Sequence, residues 1–311
     1  MVTFVALILY KNLLMINIKR SFLLLYLTFA FLTSFSQSRF FGTVGTGIIY
    51  YNGDLNDKRI IPPSKIFNAH YTAGIGYNID GIFDVRLQYL HGNIEGADSI
   101  SNEYDNKVRN LSFKSKIDEV TITAHIKFFK LHKKKLFNPY VFGGIGMFWF
   151  NPTAELNGTT YELQPIGTEG QYLGGNYPSP YKLRQRVIPL GLGVNINLNS
   201  NWKLKVEFAE HFTSTDYLDD ASSRYPDSSL LAAVGGPVAI ALSNRRIDTK
   251  GFFPVGRSRA NTKKNDNYVR FTVGLIYNPR RKKSSEFGRV GIFRKFFKGK
   301  GSWWGGKGKG L

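Results

Sequence analysis

The clearest pattern in the chain is a strict alternation of apolar and polar side chains across residues 202–212. Trp202, Leu204, Val206 and Phe208 share one parity, and lysine, glutamate and alanine fill the positions between them. A period of two predicts a β-strand with one apolar and one polar face. Its length of about ten residues suits a strand that crosses a bilayer at a tilt.

Seven further segments have a related pattern, and we therefore predict an all-β chain with eight strands. The alternation is clean in the third, fourth, sixth and eighth strands, whereas the first, second and fifth are rich in glycine. The predicted strands cover residues 40–51, 69–77, 83–94, 117–129, 139–151, 184–198, 202–212 and 267–277.

The connections between these strands are alternately short and long. The short ones lie at 78–82, 130–138 and 199–201, and the long ones at 52–68, 95–116, 152–183 and 213–266. All the long connections then lie at one end of the sheet, which is the wiring of outer-membrane barrels with short periplasmic turns and long external loops. The pattern predicts an eight-stranded antiparallel up-and-down transmembrane β-barrel.

The last long connection contains a helix signal. Asp227 precedes a short apolar run that ends at Val234, as an N-cap residue does. Gly235-Gly-Pro237 should break this helix, and the next apolar residues, 238–242, can resume it. We expect these apolar residues to pack down onto the barrel.

The N-terminus has the composition of an export signal. Lys19-Arg20 precedes an apolar run at 21–35, and Ser36 provides a small residue at the cleavage site. We predict a signal peptide at 1–36, with Met15 as an alternative start, a barrel at 37–278 and a basic tail at 279–311. The alternative for the apolar run is a single membrane-anchoring helix.

The alternation alone does not say which face of the wall points inward. A lipocalin-like soluble barrel would hold the apolar row inside, whereas the export signal, the loop asymmetry and aromatic residues near strand ends favour lipid outside. Those aromatic residues are Tyr77, Phe83, Trp149, Trp202, Phe212 and Tyr277.

With lipid outside, the polar row fills the lumen. Eight strands leave a lumen just wide enough for side chains, so its charges should pair, because unpaired buried charge is costly. We expect an ionic plug rather than a pore. Its predicted members are Asp84, Arg86, Lys127, Lys203, Lys205, Glu207 and Arg270, with Gln88 and His125 in the same row.

Six stretches carry a family resemblance. They are Tyr51-Asn-Gly-Asp-Leu55, residues 109–119, Asn138-Pro-Tyr-Val-Phe-Gly-Gly-Ile-Gly146 with Phe150-Asn-Pro152, residues 163–171, Ile188-Pro-Leu-Gly-Leu-Gly-Val194, and Thr213-Ser-Thr-Asp-Tyr-Leu-Asp-Asp220. Across 40–278 the chain resembles the PorG-like outer-membrane barrels of the type IX secretion system. The resemblance implies a small barrel without catalytic residues that helps to anchor a periplasmic ring, built in that family by PorK and PorN.

The sequence offers little independent chemistry. There is no cysteine, which excludes disulfides, cysteine zinc sites and an acylated lipoprotein cysteine, and the five histidines lack metal-site spacing. The glycines of residues 143–146 superficially suggest a nucleotide loop, but their place within a strand favours close packing. We expect no cofactor and no small-molecule substrate.

One acidic cluster has two interpretations. Asp216, Asp219 and Asp220, with Tyr217, belong to the last of the stretches that carry the resemblance. Several carboxylates in one loop can bind Ca²⁺. Aspartate side chains also bind nearby backbone amides and so form turns, and this is the interpretation that we prefer.

The charge is concentrated at one predicted rim of the barrel. The net charge is +20, and residues 279–311 contribute eleven lysines and arginines against one glutamate. The tail and the turn at 130–138 should share the periplasmic side. Nucleic acid is not expected there, and the expected binding partners are anionic lipid, peptidoglycan or an acidic protein. We predict docking there, with a solvated tail as the alternative. The predicted docking residues are Lys133, Lys134, Lys135, Arg280, Arg281, Lys282, Lys283, Arg294, Lys295 and Lys298.

These observations favour a non-enzymatic membrane anchor or assembly factor for protein secretion, with outer-membrane lipids and PorK/PorN-like ring proteins as partners. One alternative is an outer-membrane lipid-modifying enzyme, in which His91 and His211 would be the residues to test. Another is a purely structural barrel.

Overall fold

The computed structural model describes residues 39–55, 64–129, 136–261 and 264–279. The predicted signal peptide and all of the basic tail beyond residue 279 lie outside these residues. The strands are β1 (Phe40–Asn52), β2 (Asn68–Asn78), β3 (Phe83–Ala97), β4 (Ser112–Lys127), β5 (Phe137–Leu156), β6 (Thr159–Glu162), β7 (Arg184–Asn197), β8 (Trp202–Thr213) and β9 (Asn267–Tyr277). The helices are α1 (Tyr104–Arg109), α2 (Leu163–Ile166) and α3 (Ser228–Ser243), with single 3₁₀ turns at Ser64–Ile66 and Asp98–Ile100.

Eight of these strands form a closed antiparallel barrel, as predicted. The order around the wall is β1, β2, β3, β4, β5, β7, β8 and β9, and β9 pairs with β1 to close it. We call the end that carries the connections β2–β3, β4–β5 and β7–β8 the turn end, and the opposite end the loop end. None of the helices in the described part of the chain has both the length and the apolar character needed to cross a membrane.

The ninth strand is short and was missed by the sequence analysis. β6 pairs only with the end of β5, through a turn at Asn157 and Gly158. Both turn residues have positive φ angles, 52° and 79°, and Asn-Gly is the strongest short-range hairpin signal. The dipeptide inside the predicted loop 152–183 was therefore the signal to use.

Two other strands extend further than predicted. β4 starts at Ser112 instead of 117, and β5 continues to Leu156 instead of ending at 151. In these extensions the side chains still alternate, but Phe113 points inward and the lysines at 114 and 116 point outward. The predicted strands were bounded by their apolar outer residues, so the prediction ended β4 and β5 where the outward-facing side chains become polar.

The outer surface of the barrel carries an apolar band. Its members are exposed side chains from seven of the eight strands of the wall, all but β2: Val44, Ile48, Val85, Leu87, Val120, Ile122, Ile126, Val141, Ile145, Ile188, Leu190, Leu192, Phe208, Phe271, Val273 and Leu275.

Aromatic side chains border this band on both sides. At the turn end they are Phe40, Tyr77, Phe83, Phe137, Trp202 and Tyr277, and towards the loop end Tyr71, Tyr89, Trp149 and Phe212. All six aromatic residues predicted to lie near strand ends are thus exposed on the outer face. From Trp202 to Phe212, ten residues at about 3.4 Å each and a tilt of roughly 45° span about 24 Å, close to the height of a lipid-facing band.

Towards the loop end the polarity of the wall inverts. In β3, Asp84, Arg86 and Gln88 point into the lumen, but further along the strand the buried inward residues are Leu90 and Ile94. The same change occurs in β4, β5 and β9, so the lumen has a polar tier near the turn end and an apolar tier near the loop end. Members of the apolar tier include Ile49, Tyr51, Ile117, Phe148, Phe150 and Tyr268.

The loops close the barrel above this apolar tier. α3 is capped at its N-terminus by Asp227, whose carboxylate accepts hydrogen bonds from the amides of Ser229 and Leu230, and it kinks at Gly236, where φ is 66°. The predicted cap and break are therefore confirmed. Leu242 of the second half is buried in the core that fills the loop end of the barrel, as expected for a helix packed onto the barrel.

The glycines of residues 143–146 lie inside β5, which confirms close packing and not a nucleotide loop. A Cβ atom on Gly144 would lie 2.1 Å from the backbone oxygen of Ile122, whereas one on Gly143 would meet only the end of the Leu190 side chain, at 2.7 Å. We expect Gly144→Ala to lower the folded fraction strongly and Gly143→Ala to change it little, because a side chain can move where a paired backbone cannot. Gel mobility of unheated and heated samples after refolding measures this difference, and equal effects would contradict it.

Candidate functional site

The predicted ionic plug lies in the lumen, and Glu207 is its centre. The Glu207 carboxylate is 2.9 Å from Arg86 Nη1, 3.1 Å from Lys205 Nζ and 3.3 Å from Arg270 Nη1. Tyr140, which the sequence analysis did not single out, donates a further hydrogen bond of 2.7 Å to it. All five side chains are at most 2% exposed. One carboxylate thus holds three cations from three strands.

The plug continues towards the turn end. Lys127 Nζ lies 2.7 Å from Asp84 Oδ1, and Arg86 Nη2 lies 3.7 Å from the other oxygen of the same carboxylate. Lys203 is half-buried in the same row but forms no ion pair within 4 Å with any residue that the structure describes. Six of the seven predicted members therefore pair as expected, and Lys203 does not.

Towards the loop end the plug includes a histidine and a carboxylate that were not predicted as members. Arg270 Nε donates to His211 Nε2 at 2.9 Å, and His211 Nδ1 lies 2.8 Å from Glu119 Oε2. Tyr268 donates to the same glutamate oxygen. Glu119 was missed because the predicted β4 had its apolar row outside and gave no reason to pair this residue with a partner in β8. With these contacts the polar network reaches the apolar tier.

The loop motif Asp216, Tyr217, Asp219 and Asp220 lies above the apolar tier, in a set of loops that we call the cap (residues 98–111, 163–183, 214–261 and 264–266). The Tyr51 hydroxyl lies 2.6 Å from an oxygen of Asp219 and 2.8 Å from an oxygen of Asp266; its single proton can be donated to only one of them, and it accepts from the other carboxyl in its protonated form. The second oxygen of Asp219 accepts the amide of Ala221 at 2.9 Å. Asp266 accepts the amide of Leu218 at 3.1 Å. Asp219 thus has the turn-forming role that we preferred for the cluster, whereas Asp216 accepts from the hydroxyl of Ser222 at 2.8 Å and Asp220 from the hydroxyl of Tyr181.

Asp220 and Glu169 share one buried arginine. Arg259 Nη1 is 3.1 Å from Glu169 and Arg259 Nη2 is 3.8 Å from Asp220. Tyr181 donates to Asp220 at 2.7 Å, and Thr168 donates to it as well. Arg259 is 3% exposed. It therefore joins the last long loop to the loop that follows β6. The sequence analysis could not find the contacts of Arg259 with Glu169 and Asp220, because no sequence motif around Arg259 or Glu169 indicates a partner so far away in the chain.

A second arginine joins the loop after β3 to the same cap. Arg109 donates to both oxygens of Asp98, at 2.8 and 2.7 Å, and to the backbone oxygens of Arg259 and Asp54. Arg109 and Asp54 belong to two of the stretches that carry the family resemblance. Four of those stretches, including 163–171 and Thr213–Asp220, thus contribute to one continuous hydrogen-bonded cap. Within the described residues no group of three or more His, Cys, Asp or Glu side chains could hold a metal ion.

Burial raises the pKa of the cap carboxyls. It raises the pKa of Asp216 to about 7, with repulsion from Asp54 and Glu169, and that of Asp220 to about 6 against the attraction of Arg259. The pKa values of Asp219 and Asp266 are also well above the usual range, because both are buried. Part of this cluster is therefore protonated near neutral pH.

The cap should consequently loosen as the pH rises. The unfolded chain releases the protons of Asp216 and Asp220 near pH 4, whereas the folded cap keeps them until pH 6–7. Stability falls across this interval; at about 1.4 kcal/mol per pKa unit the two shifts together amount to several kcal/mol, reduced by solvent screening at the less buried Asp216. Hydrogen exchange of the cap amides at pH 5 and pH 8, corrected for intrinsic exchange rates, measures this loss of cap stability. Asp216→Asn should reduce the dependence of cap stability on pH, and the exposed Asp105→Asn should leave it unchanged. A cap that is more protected at pH 8 than at pH 5 would refute the raised pKa values of these carboxyls.

The two histidines of the enzymatic alternative lie on opposite faces of the wall. His91 points outward and is 2.8 Å from Asp118, whereas His211 is buried in the lumen beside Glu119. They do not share a site. The docking residues Lys133, Lys134, Lys135, Arg280, Arg281, Lys282, Lys283, Arg294, Lys295 and Lys298 lie outside the described residues, so that prediction stays a prediction.

Similar solved structures are eight-stranded outer-membrane barrels. Neisserial surface protein A is 10% identical, with 78% of this chain and 97% of that chain covered and a TM-score of 0.39. The outer membrane protein OprG of Pseudomonas aeruginosa gives the same identity and coverage with a TM-score of 0.38. Ail of Yersinia pestis is 7% identical, with coverages of 78% and 98% and a TM-score of 0.33.

No curated protein matches the chain in sequence. A family model described as a domain of unknown function, DUF6089, matches residues 19–233. This match covers more than half of the chain, from within the predicted signal peptide to the first half of α3, and the protein therefore belongs to the DUF6089 family.

Proposed function

We propose that this protein is a non-enzymatic barrel of the outer membrane that anchors or assembles a periplasmic ring complex for protein secretion. The observation that carries the proposal is a wall that is apolar outside and a lumen that is filled inside. Such a barrel has a surface for lipid and no open path for a solute, so the role it suits is that of a scaffold.

The outer face supports the membrane part of the proposal. An apolar band about 24 Å high, bordered by aromatic rows, is the pattern of lipid-facing barrels, whereas a soluble barrel of this size would expose dozens of apolar side chains to water at a large cost. The buried charges of the plug point the other way, into the lumen, where they find partners. The predicted export signal is consistent with this placement.

The lumen supports the scaffold part. Its polar tier is closed by the ion pairs around Glu207 and Asp84, and its apolar tier by buried side chains such as Phe148 and Tyr268. A transport path would require both tiers to open. The energetic cost of separating three cations from one carboxylate in the lumen argues against such opening.

The secretion part rests on the family resemblance of the loop and strand motifs. It implies PorK/PorN-like ring proteins as partners on the periplasmic side, where the basic turn and tail would lie. The docking residues between Lys133 and Lys298 are part of this proposal. Clustered lysines and arginines interleaved with aromatic residues suit an acidic protein surface or a membrane surface.

The test combines a deletion strain with affinity purification. Full-length protein and a variant ending at residue 279 are expressed in the deletion strain, cross-linked in intact cells and purified from solubilised membranes. We expect ring proteins to co-purify with the full-length protein, and much less with the truncated one, and secretion to be lost in the deletion strain.

Each part of the proposal can fail separately. If the barrel fractionates with the outer membrane while ring assembly and secretion are normal without it, the secretion role is wrong and a purely structural barrel remains. If the protein is found in soluble fractions, the membrane placement itself is wrong. A third variant with Lys133, Lys134 and Lys135 changed to glutamine separates the contribution of the turn from that of the tail.

A further inference from the structure

The cap contains a cleft of about 350 Å³ at the loop end of the barrel. Four parts of the chain meet around it: the end of β1 with the following turn, α1 with the residue before it, Tyr225, and residues 253–261 with 264–265. Its volume is within the range of small-molecule sites. The cleft shares no lining residue with the ionic plug, and the proposed secretion role makes no use of it.

The floor of the cleft is rigid, because its two arginines are fully engaged. Arg109 binds Asp98 and two backbone oxygens, and Arg259 binds Glu169, Asp220 and the backbone oxygen of Ser243. Neither guanidinium is free to turn towards a ligand. They fix the shape of the site and leave recognition to the other side chains.

Tyr225 is the exception among the polar groups of the floor. It is 3% exposed and stacks on Phe253 with 5.0 Å between ring centroids, yet its hydroxyl has no hydrogen-bond partner among the described residues. Buried hydroxyls are nearly always paired, and an unpaired one costs free energy. Because Tyr225 lines the cleft, a molecule in the cleft can provide the missing partner.

The rim determines which kind of molecule fits. It presents two exposed carboxylates, Glu103 and Asp105, and two exposed cations, Arg257 and Lys264, with the amide of Asn265 beside them. Asp54 adds a third, half-buried carboxylate, so charges of both signs line the cleft and neither sign dominates, which disfavours a strongly anionic or cationic ligand. Hydroxyl groups can donate to the carboxylates and accept from the amide and the cations at the same time.

We propose that this cleft binds a neutral saccharide, with the Tyr225 hydroxyl hydrogen-bonded to a sugar hydroxyl and the rim residues contacting the remaining ones. The inference concerns binding and not turnover.

Tyr225→Phe is the informative variant, since it removes only the unpaired oxygen. In the free protein it should leave the melting temperature unchanged or slightly higher, because no hydrogen bond is lost. Saccharide affinity should fall about tenfold, the loss expected for one good hydrogen bond. Tyr172→Phe, a tyrosine outside the cleft that donates to the backbone oxygen of Gln164, is the matched control and should not change affinity.

Saturation-transfer NMR on the full-length protein in lipid nanodiscs, without sugar-based detergent, measures binding of glucose, galactose, mannose, N-acetylglucosamine and their disaccharides. The proposal requires at least one neutral saccharide to receive saturation and to lose it in Tyr225→Phe. It is overturned if none binds, if binding is equal in both tyrosine variants, or if inorganic phosphate or a tetra-aspartate peptide binds in place of the sugars.

Discussion

Replacing Glu207 by glutamine is expected to destabilise the barrel by about 3–5 kcal/mol, the usual cost of leaving buried charges without their partner. The change keeps the shape of the side chain but removes the charge that holds Arg86, Lys205 and Arg270 in the lumen. Urea titration of the barrel in lipid vesicles, followed by tryptophan fluorescence and by gel mobility, gives the free energy of unfolding.

Lys205→Met is the matched comparison, because the two residues lie on the same strand and share one ion pair. Without Lys205 the Glu207 carboxylate still has two arginines and Tyr140, and methionine fills nearly the same volume. We expect a cost below about 1.5 kcal/mol, as for volume-conserving replacements. The predicted asymmetry follows from the excess of cations in the plug, and equal costs for the two variants would show that Glu207 is not its centre.

Arg259→Met is expected to open the cap and to leave the barrel intact. Arg259 is the common partner of Glu169 and Asp220, and its loss leaves both carboxylates buried beside one another at a local cost of about 3–5 kcal/mol. Limited proteolysis of intact cells should then cleave the loops at 163–183 and 214–266. Heat-modifiable migration on gels, which depends on the barrel wall, should not change.

The control is Arg257→Met, two residues away and exposed, with its guanidinium 4.4 Å from the centroid of the Phe253 ring. The loops of the Arg257→Met variant should remain resistant to protease. If the Arg259 variant also loses the heat-modifiable barrel, the cap and wall fold as one cooperative unit and the assignment of Arg259 to the cap alone is wrong.

The strands of the wall were predictable because their two faces lie in different environments, so apolar and polar side chains alternate with a period of two. Where lipid lies outside and polar side chains inside, as from Trp202 to Phe208, the sequence states both the strand and its faces. The prediction fails where the inside becomes apolar and the outside polar, as at Phe113 and Lys114, since the rule for assigning faces is then reversed. It also fails at β6, which is a hairpin outside the wall.

The site was predictable only in part, for a related reason. A charge on an inward-facing strand position must find a partner, so the membership of Glu207 and Arg86 follows from their parity. Which partner it finds depends on the register of strands far apart in the chain, and Glu119 with His211 could not be paired in advance. The cap contacts of Arg259 and Tyr51 depend on loop paths that no periodicity encodes.

The inversion of polarity along the wall also fixes how deeply the barrel can sit in a bilayer. Sliding outward would expose the loop-end part of the band, such as Tyr89 and Val120, to water, while sliding inward would immerse His91 and Asp118 in hydrocarbon. The barrel therefore cannot adapt to a thicker membrane by shifting along its axis, and the lipid must adjust its own thickness around it. In the proposed membrane placement, such a barrel would keep a fixed height relative to the lipid, against which the proposed ring partners could be positioned.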